Sequence, residues 1–107
     1  MLTHTDMTAP LAAMTEIFAT LSRLADLHPD LPGAYITASQ ITPHEAHVLL
    51  DGPADLEAWR VATHTDSADV ALTEREDDRK LLFTAPLGHI SIRVYTVFPT
   101  CGEAVHA

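Results

Sequence analysis

From Pro10 onward, apolar residues recur at helical spacing. Leu11, Met14, Phe18, Leu21 and Ala25 form one stripe, widened by Ile17 and Leu24, while Glu16, Arg23 and Asp26 fall on the opposite side. Thr8 is placed to cap this helix, and Pro10 fits a first turn, where its missing N–H costs nothing. Pro29 disfavours helical geometry at His28, so the helix should stop near Leu27. His28 to Gly33 then reads as a loop stiffened by Pro29 and Pro32.

The period then changes to two. Ala34 to Ile41 reads as a strand, with Ala34, Ile36 and Ala38 on one side and Tyr35, Thr37 and Ser39 on the other. The next segment supports two readings. Thr42-Pro43-His44-Glu45 fits a capping box with Pro at the first helical position, and Gly52-Pro53 would end such a helix. Against that, Ala46, Val48 and Leu50 alternate with His47 and Leu49, and Pro43 to Glu45 could close a hairpin. A short helix pressed directly against the next one would be crowded, so the strand is favoured. Asp51 or Gly52 then caps a second helix with Pro53 at its first position, and Leu56, Trp59, Ala62 and Thr63 form its apolar edge. Residues 63–66 are read as loop.

The remainder reads as strand. Ala68, Val70 and Leu72 alternate with Asp69, Ala71 and Thr73, and Glu74 to Asp78 is a charged turn. Leu81, Phe83 and Ala85 carry a return strand, Pro86-Leu87-Gly88 turns again, and Ile90, Ile92, Val94 and Phe98 line a last strand ending at Pro99. Short connections make these three strands an antiparallel meander, since parallel neighbours need long crossovers. The expected fold is α+β, in the order α-β-β-α-β-β-β. Both helices pack on one face of a five-stranded, mostly antiparallel sheet. One domain is expected over residues 9–99, with flexible tails at 1–8 and 100–107.

Composition narrows the function classes. The 107 residues are enough for one hydrophobic core without staples. The formal charge of −9, from 15 acidic against six basic residues, disfavours nucleic-acid binding, because phosphate contacts need Lys and Arg. No apolar run approaches the ~20 residues needed to cross a bilayer, so no membrane contact is expected. Met1 to Met7 holds no Lys or Arg and lacks a signal-peptide layout, which suggests a cytoplasmic protein. The lone Cys101 cannot form an intrachain disulfide and has no positive setting that would activate a thiol.

Candidate chemistry is thin. His44, Glu45 and His47 resemble part of a metal cluster, with His64 as a possible third histidine. On a strand, however, residues three apart point to opposite faces, and the H-E-x-x-H spacing is absent. No metal is expected. Ser22, Ser39, Ser67 and Ser91 have no glycine context for a nucleophile elbow. Glu76-Asp77-Asp78 is a solvated run at a hairpin tip rather than a tuned acid–base pair. With four glycines and no phosphate-loop pattern, no nucleotide cofactor is expected, and no other cofactor. Trp59 is read as an anchor between its helix and the sheet.

The second sheet face is the informative feature. If Ile90, Ile92 and Val94 face the helices, strand parity puts Arg93, Tyr95 and Val97 on the other side, together with Leu82, His47, Leu49 and Tyr35. Tyr and Arg are enriched at interfaces, and a broad apolar patch is seldom left bare. The expected function is therefore a non-enzymatic protein-interaction module, a homodimer or a subunit of a larger assembly. It would dock through Tyr35, His47, Leu49, Leu82, Arg93 and Tyr95. The competing expectation is a small-molecule binder or small enzyme using a cleft between the second helix and the sheet. His47, His64, Trp59 and Arg93 would line that cleft.

Overall fold

The computed structural model describes residues 10–39 and 41–99. Thr8, Cys101 and the two tails lie outside them. The described chain forms two helices and a five-stranded sheet, of the α+β class. Helix α1 spans Thr15–Leu27 and α2 spans Pro53–Ala62. The strands are β1 (Tyr35–Ser39), β2 (Thr42–Leu50), β3 (Ala71–Glu74), β4 (Asp78–Leu87) and β5 (Ile90–Pro99).

Helix α1 ends at Leu27 as Pro29 requires, but its start differs from the apolar stripe. Leu11–Met14 is a 3-10 turn, and the α-helix begins only at Thr15. A 3-10 turn has about 3.0 residues per turn and rotates Leu11 away from the α-helical face. The buried seam is Met14, Ile17 and Leu24, with Leu21 packed against it. Leu11 and Phe18 stay 72% and 47% exposed. The buried seam is therefore narrower than the apolar stripe.

Residues 42–50 are a strand, and its hairpin with β1 closes earlier than Pro43–Glu45. The Ile41 N–H donates to Ser39 Oγ at 3.0 Å, and pairing resumes at Ser39 with Thr42 after a register shift. This Ser-centred turn lets Pro43 lie in extended backbone. In the C-terminal half, Ala68 does not begin a strand. Asp66 accepts the Ala68 N–H at 2.9 Å and caps a 3-10 turn at Ser67–Asp69, so β3 shortens to Ala71–Glu74. Pro86 and Leu87 belong to β4 rather than to a turn. Leu87 pairs with Ile90 around Gly88 and His89, and Gly88 supplies the positive φ of 68° that this tight loop needs.

The sheet order is β1-β2-β5-β4-β3. The β1–β2 hairpin and the β3-β4-β5 meander are antiparallel, as expected, but β2 and β5 are parallel neighbours at the centre. The sheet is thus mixed. Helix α2 carries the chain from β2 to the far edge at β3, and the meander returns to lay β5 beside β2. Both helices cover the same face. Ile17 and Leu24 of α1 and Leu56 and Trp59 of α2 share one cluster with Ala46, Val48, Leu50, Phe83, Ala85, Ile90, Ile92 and Val94. Trp59 is 4% exposed in this cluster, and its Nε1 donates to the Pro32 carbonyl at 2.9 Å. It therefore ties the proline-stiffened loop, as well as α2, to the core. Thr96 is the one buried polar side chain among the described residues, and its Oγ1 donates to the Leu50 carbonyl at 2.9 Å.

Helix α2 begins with Gly52 as cap and Pro53 in its first turn. It ends in a Schellman arrangement. The Thr65 N–H bonds to the Arg60 carbonyl and the His64 N–H to that of Val61, with His64 held at φ 57°. A left-handed conformation costs a non-glycine residue about 1 kcal/mol. His64→Gly should therefore stabilise the protein by about 0.5–1 kcal/mol, a rise of several degrees in thermal midpoint measured by calorimetry. Ile92 is fully buried beneath both helices. An unpaired Asp there costs several kcal/mol, comparable with the ~5–15 kcal/mol stability of a domain, so Ile92→Asp should abolish cooperative melting.

Candidate functional site

The face opposite the helices carries the six residues singled out by strand parity. Backbone register arranges four of them in one row. Tyr35 pairs with Leu49, Leu49 with Tyr95, and Tyr95 with Leu82, and Ala71 completes the row on β3. The stripe runs across all five strands, roughly 19 Å at the usual spacing between strands. Beside it lies a polar row of Thr37, His47, Arg93 and Thr84. On its other flank, Val97 pairs with Lys80 and Lys80 with Thr73. Among the described residues no helix covers this face, and Tyr35 is 68% exposed.

Two members of the face were missed in the sequence. Glu45 places Oε2 3.6 Å from His47 Nε2 and 4.0 Å from Arg93 Nε, bridging the polar row. Lys80 holds its ammonium 5.0 Å from the centroid of the Tyr95 ring, a cation–π contact that fixes the ring's position. Both could have been found by carrying parity two residues further, since Glu45 precedes His47 and Lys80 precedes Leu82. By sequence, Pro43 to Glu45 reads as a hairpin turn, which hides the parity of Glu45. His47, Lys80, Leu82, Arg93 and Tyr95 surround a shallow depression of about 220 Å³. The site is thus an apolar stripe with a small polar-rimmed dimple, suited to receiving one protruding side chain. It offers no nucleophile backed by a base.

The alternative lining does not assemble. His47 and Arg93 lie on the outer face, whereas Trp59 is buried on the helix side of the sheet. The sheet itself lies between them, because alternate residues of β2 and β5 point opposite ways. The clefts on the helix side have other walls. A trough of about 540 Å³ runs between residues 27–31 and α2, lined by Leu27, Leu31, Ala58 and Val61 with His28, Asp30 and Glu57. Glu57 is engaged by Arg60, whose Nε donates to it at 2.8 Å. That hydrogen bond holds the Glu57 carboxyl below its ordinary value. Arg75 and Asp78 form a similar exposed pair on the β3–β4 turn, where hydrogen bonding to Asp78 raises the Arg75 pKa.

The histidines are dispersed by the same parity. His44 and His47 share β2 three residues apart and so face opposite sides of the sheet, and His64 sits beyond α2. Among the described residues no three metal-ligating side chains come together. Elemental analysis of tag-free protein should accordingly find no stoichiometric zinc, nickel or copper. One metal per chain, lost on His47→Ala, would be the contrary result. Nor, among the described residues, is any helix long and apolar enough to cross a membrane. Comparison of the chain with protein-family models, with curated proteins and with solved structures finds no match.

Proposed function

We propose that this chain is a non-enzymatic protein-interaction module, working as a homodimer or a subunit of a larger assembly, and that it docks through the outer face of its sheet. The observation that carries the reading is the unbroken row Tyr35–Leu49–Tyr95–Leu82–Ala71, flanked by Arg93 and Lys80. A row of this kind supplies aromatic and aliphatic anchors at its centre and charged groups at its rim, the usual distribution in a docking surface. Charge supports the choice of face. The chain carries −9 overall, yet two of its six basic residues stand here, with Glu45 one row beyond His47 and Arg93. Approach of a second acidic molecule is therefore least opposed on this side.

Size-exclusion chromatography with light scattering tests the reading. Wild-type protein should be a dimer or larger at micromolar concentration. Tyr95→Ala and Arg93→Glu should each weaken association about tenfold while leaving the melting temperature within a few degrees, because neither side chain belongs to the helix-side core. Variants that associate as the wild type does would remove the outer face as the docking surface. Melting of Tyr95→Ala as severe as that of Ile92→Asp would mean that a further layer of the protein packs on this face.

A further inference from the structure

The basic residues of the chain are not used alike. Arg60, Arg75 and Arg79 each hold a carboxylate of the chain itself. Arg60 Nε lies 2.8 Å from Glu57, Arg75 Nε 2.8 Å from Asp78 and Arg79 Nε 3.5 Å from Glu74. The two on the outer face are not neutralised in this way. Arg93 Nε comes only to 4.0 Å from Glu45, beyond hydrogen-bonding distance, and its side chain stays 45% exposed. Lys80, the only lysine in the sequence, makes no ion pair among the described residues and rests its ammonium over the Tyr95 ring.

Register places these two cations on opposite flanks of the apolar stripe. Leu82 and Tyr95 are paired, Lys80 precedes Leu82 by two residues on β4, and Arg93 precedes Tyr95 by two on β5. Because β4 and β5 run antiparallel, the two offsets point opposite ways along the sheet. Each cation therefore stands one row from the Leu82–Tyr95 pair, roughly 7 Å at the usual strand rise. Leu82 and Tyr95 are half-buried, and with Lys80, Arg93 and His47 they enclose the depression. It has an apolar floor between two positive ends.

We propose that the partner docked by this face is an acidic protein segment, an inference that rests on the docking function proposed above. The segment seats one apolar side chain over Leu82 and Tyr95 and sets Asp or Glu nearby on both sides, against Arg93 and Lys80. The choice of occupant rests on charge complementarity and on which donors are left over. Among the described residues the Arg93 guanidinium makes no hydrogen bond, so its planar fork is open to a bidentate carboxylate. Glu45 approaches His47 at 3.6 Å and Arg93 at 4.0 Å, which orients both without filling that fork. Lys80, steadied by Tyr95, serves the second carboxylate as a point charge. Two cations match two carboxylates. A nucleic-acid backbone needs a longer line of positive contacts, and the neighbouring positions in these rows are Thr37, Thr73 and Thr84. A basic segment would meet like charge at both ends of the depression.

The test selects a random linear-peptide display library on immobilised full-length protein. Enriched peptides should carry an aliphatic or aromatic anchor with Asp or Glu within three positions on both sides. A synthetic peptide of the enriched sequence should bind about tenfold more weakly to Arg93→Glu and to Lys80→Glu. Arg23→Glu makes the same charge change on the exposed side of α1 and should bind as the wild type does. Selection on the double variant Lys80→Glu, Arg93→Glu should enrich Lys or Arg at the flanking positions instead. Where a reversal melts early, Lys80→Gln and Arg93→Gln remove the charge without adding one. Peptides that lack acidic residues yet lose binding on Leu49→Lys would overturn the acidic partner and leave the outer face as the docking surface. Peptides indifferent to all three outer-face positions would overturn both readings, as would a library that yields no binder. An equal loss on Arg23→Glu would reduce the effect to overall charge and likewise overturn the proposal.

Discussion

The parallel pairing of β2 with β5 is the contact on which the rest of this structure depends. It sets Ala46 beside Ile92, Val48 beside Val94 and Leu50 beside Thr96, and these rows are the floor on which both helices rest. Parallel neighbours cannot be joined by a tight turn. The chain must therefore leave β2 through α2, reach the far edge, and return through the β3-β4-β5 meander. The helix that makes the crossover then shares with α1 in covering the pair. The Thr96–Leu50 hydrogen bond closes the buried end of the ladder, where an apolar side chain would leave that carbonyl without this donor.

That arrangement makes the two faces of the sheet chemically unlike. The helix side is filled by aliphatic residues, small alanines and Phe83, with Trp59 reaching across to hold the loop at Pro32. The outer side mixes aromatic, aliphatic and charged groups row by row. Such a mixture can stay wet in the free protein and still give up water to a partner, because each apolar row is bordered by groups that hydrogen-bond either way. An all-aliphatic outer face would have called for a further layer of helix or sheet.

Charge then divides the surface. The acidic excess sits largely on helix exteriors, loops and the β3–β4 turn, while the outer face has Lys80 and Arg93, and β1 has no charge at all. Long-range repulsion between copies would be screened over about 8 Å at physiological salt. What then decides association is the local character of the touching surfaces, and these are the places where it is neutral or mildly basic.

Much of this was legible in the chain itself. Periodicity marks both helices, Pro29 and Gly52-Pro53 mark their ends, and alternation along 46–50, 81–85 and 90–98 marks three strands and sorts their residues between two faces. That sorting is why Tyr35, His47, Leu49, Leu82, Arg93 and Tyr95 could be grouped before any coordinates: side-chain direction in a strand depends only on residue parity. Side-chain hydrogen bonds moved the boundaries at Ser39 and Asp66, because those residues compete for backbone groups in ways that apolar pattern does not record. Strand order could not be read, since β1-β2-β5-β4-β3 and a simple meander share one alternation and differ only in long-range pairing. The tertiary structure alone decided that β2 lies against β5. It thereby decided that the separate outer residues form a single row, that Glu45 bridges His47 and Arg93, and that Trp59 and Arg93 lie on opposite sides of the sheet. A residue's face is a local property of its strand, but its neighbours on that face come from strands tens of residues away.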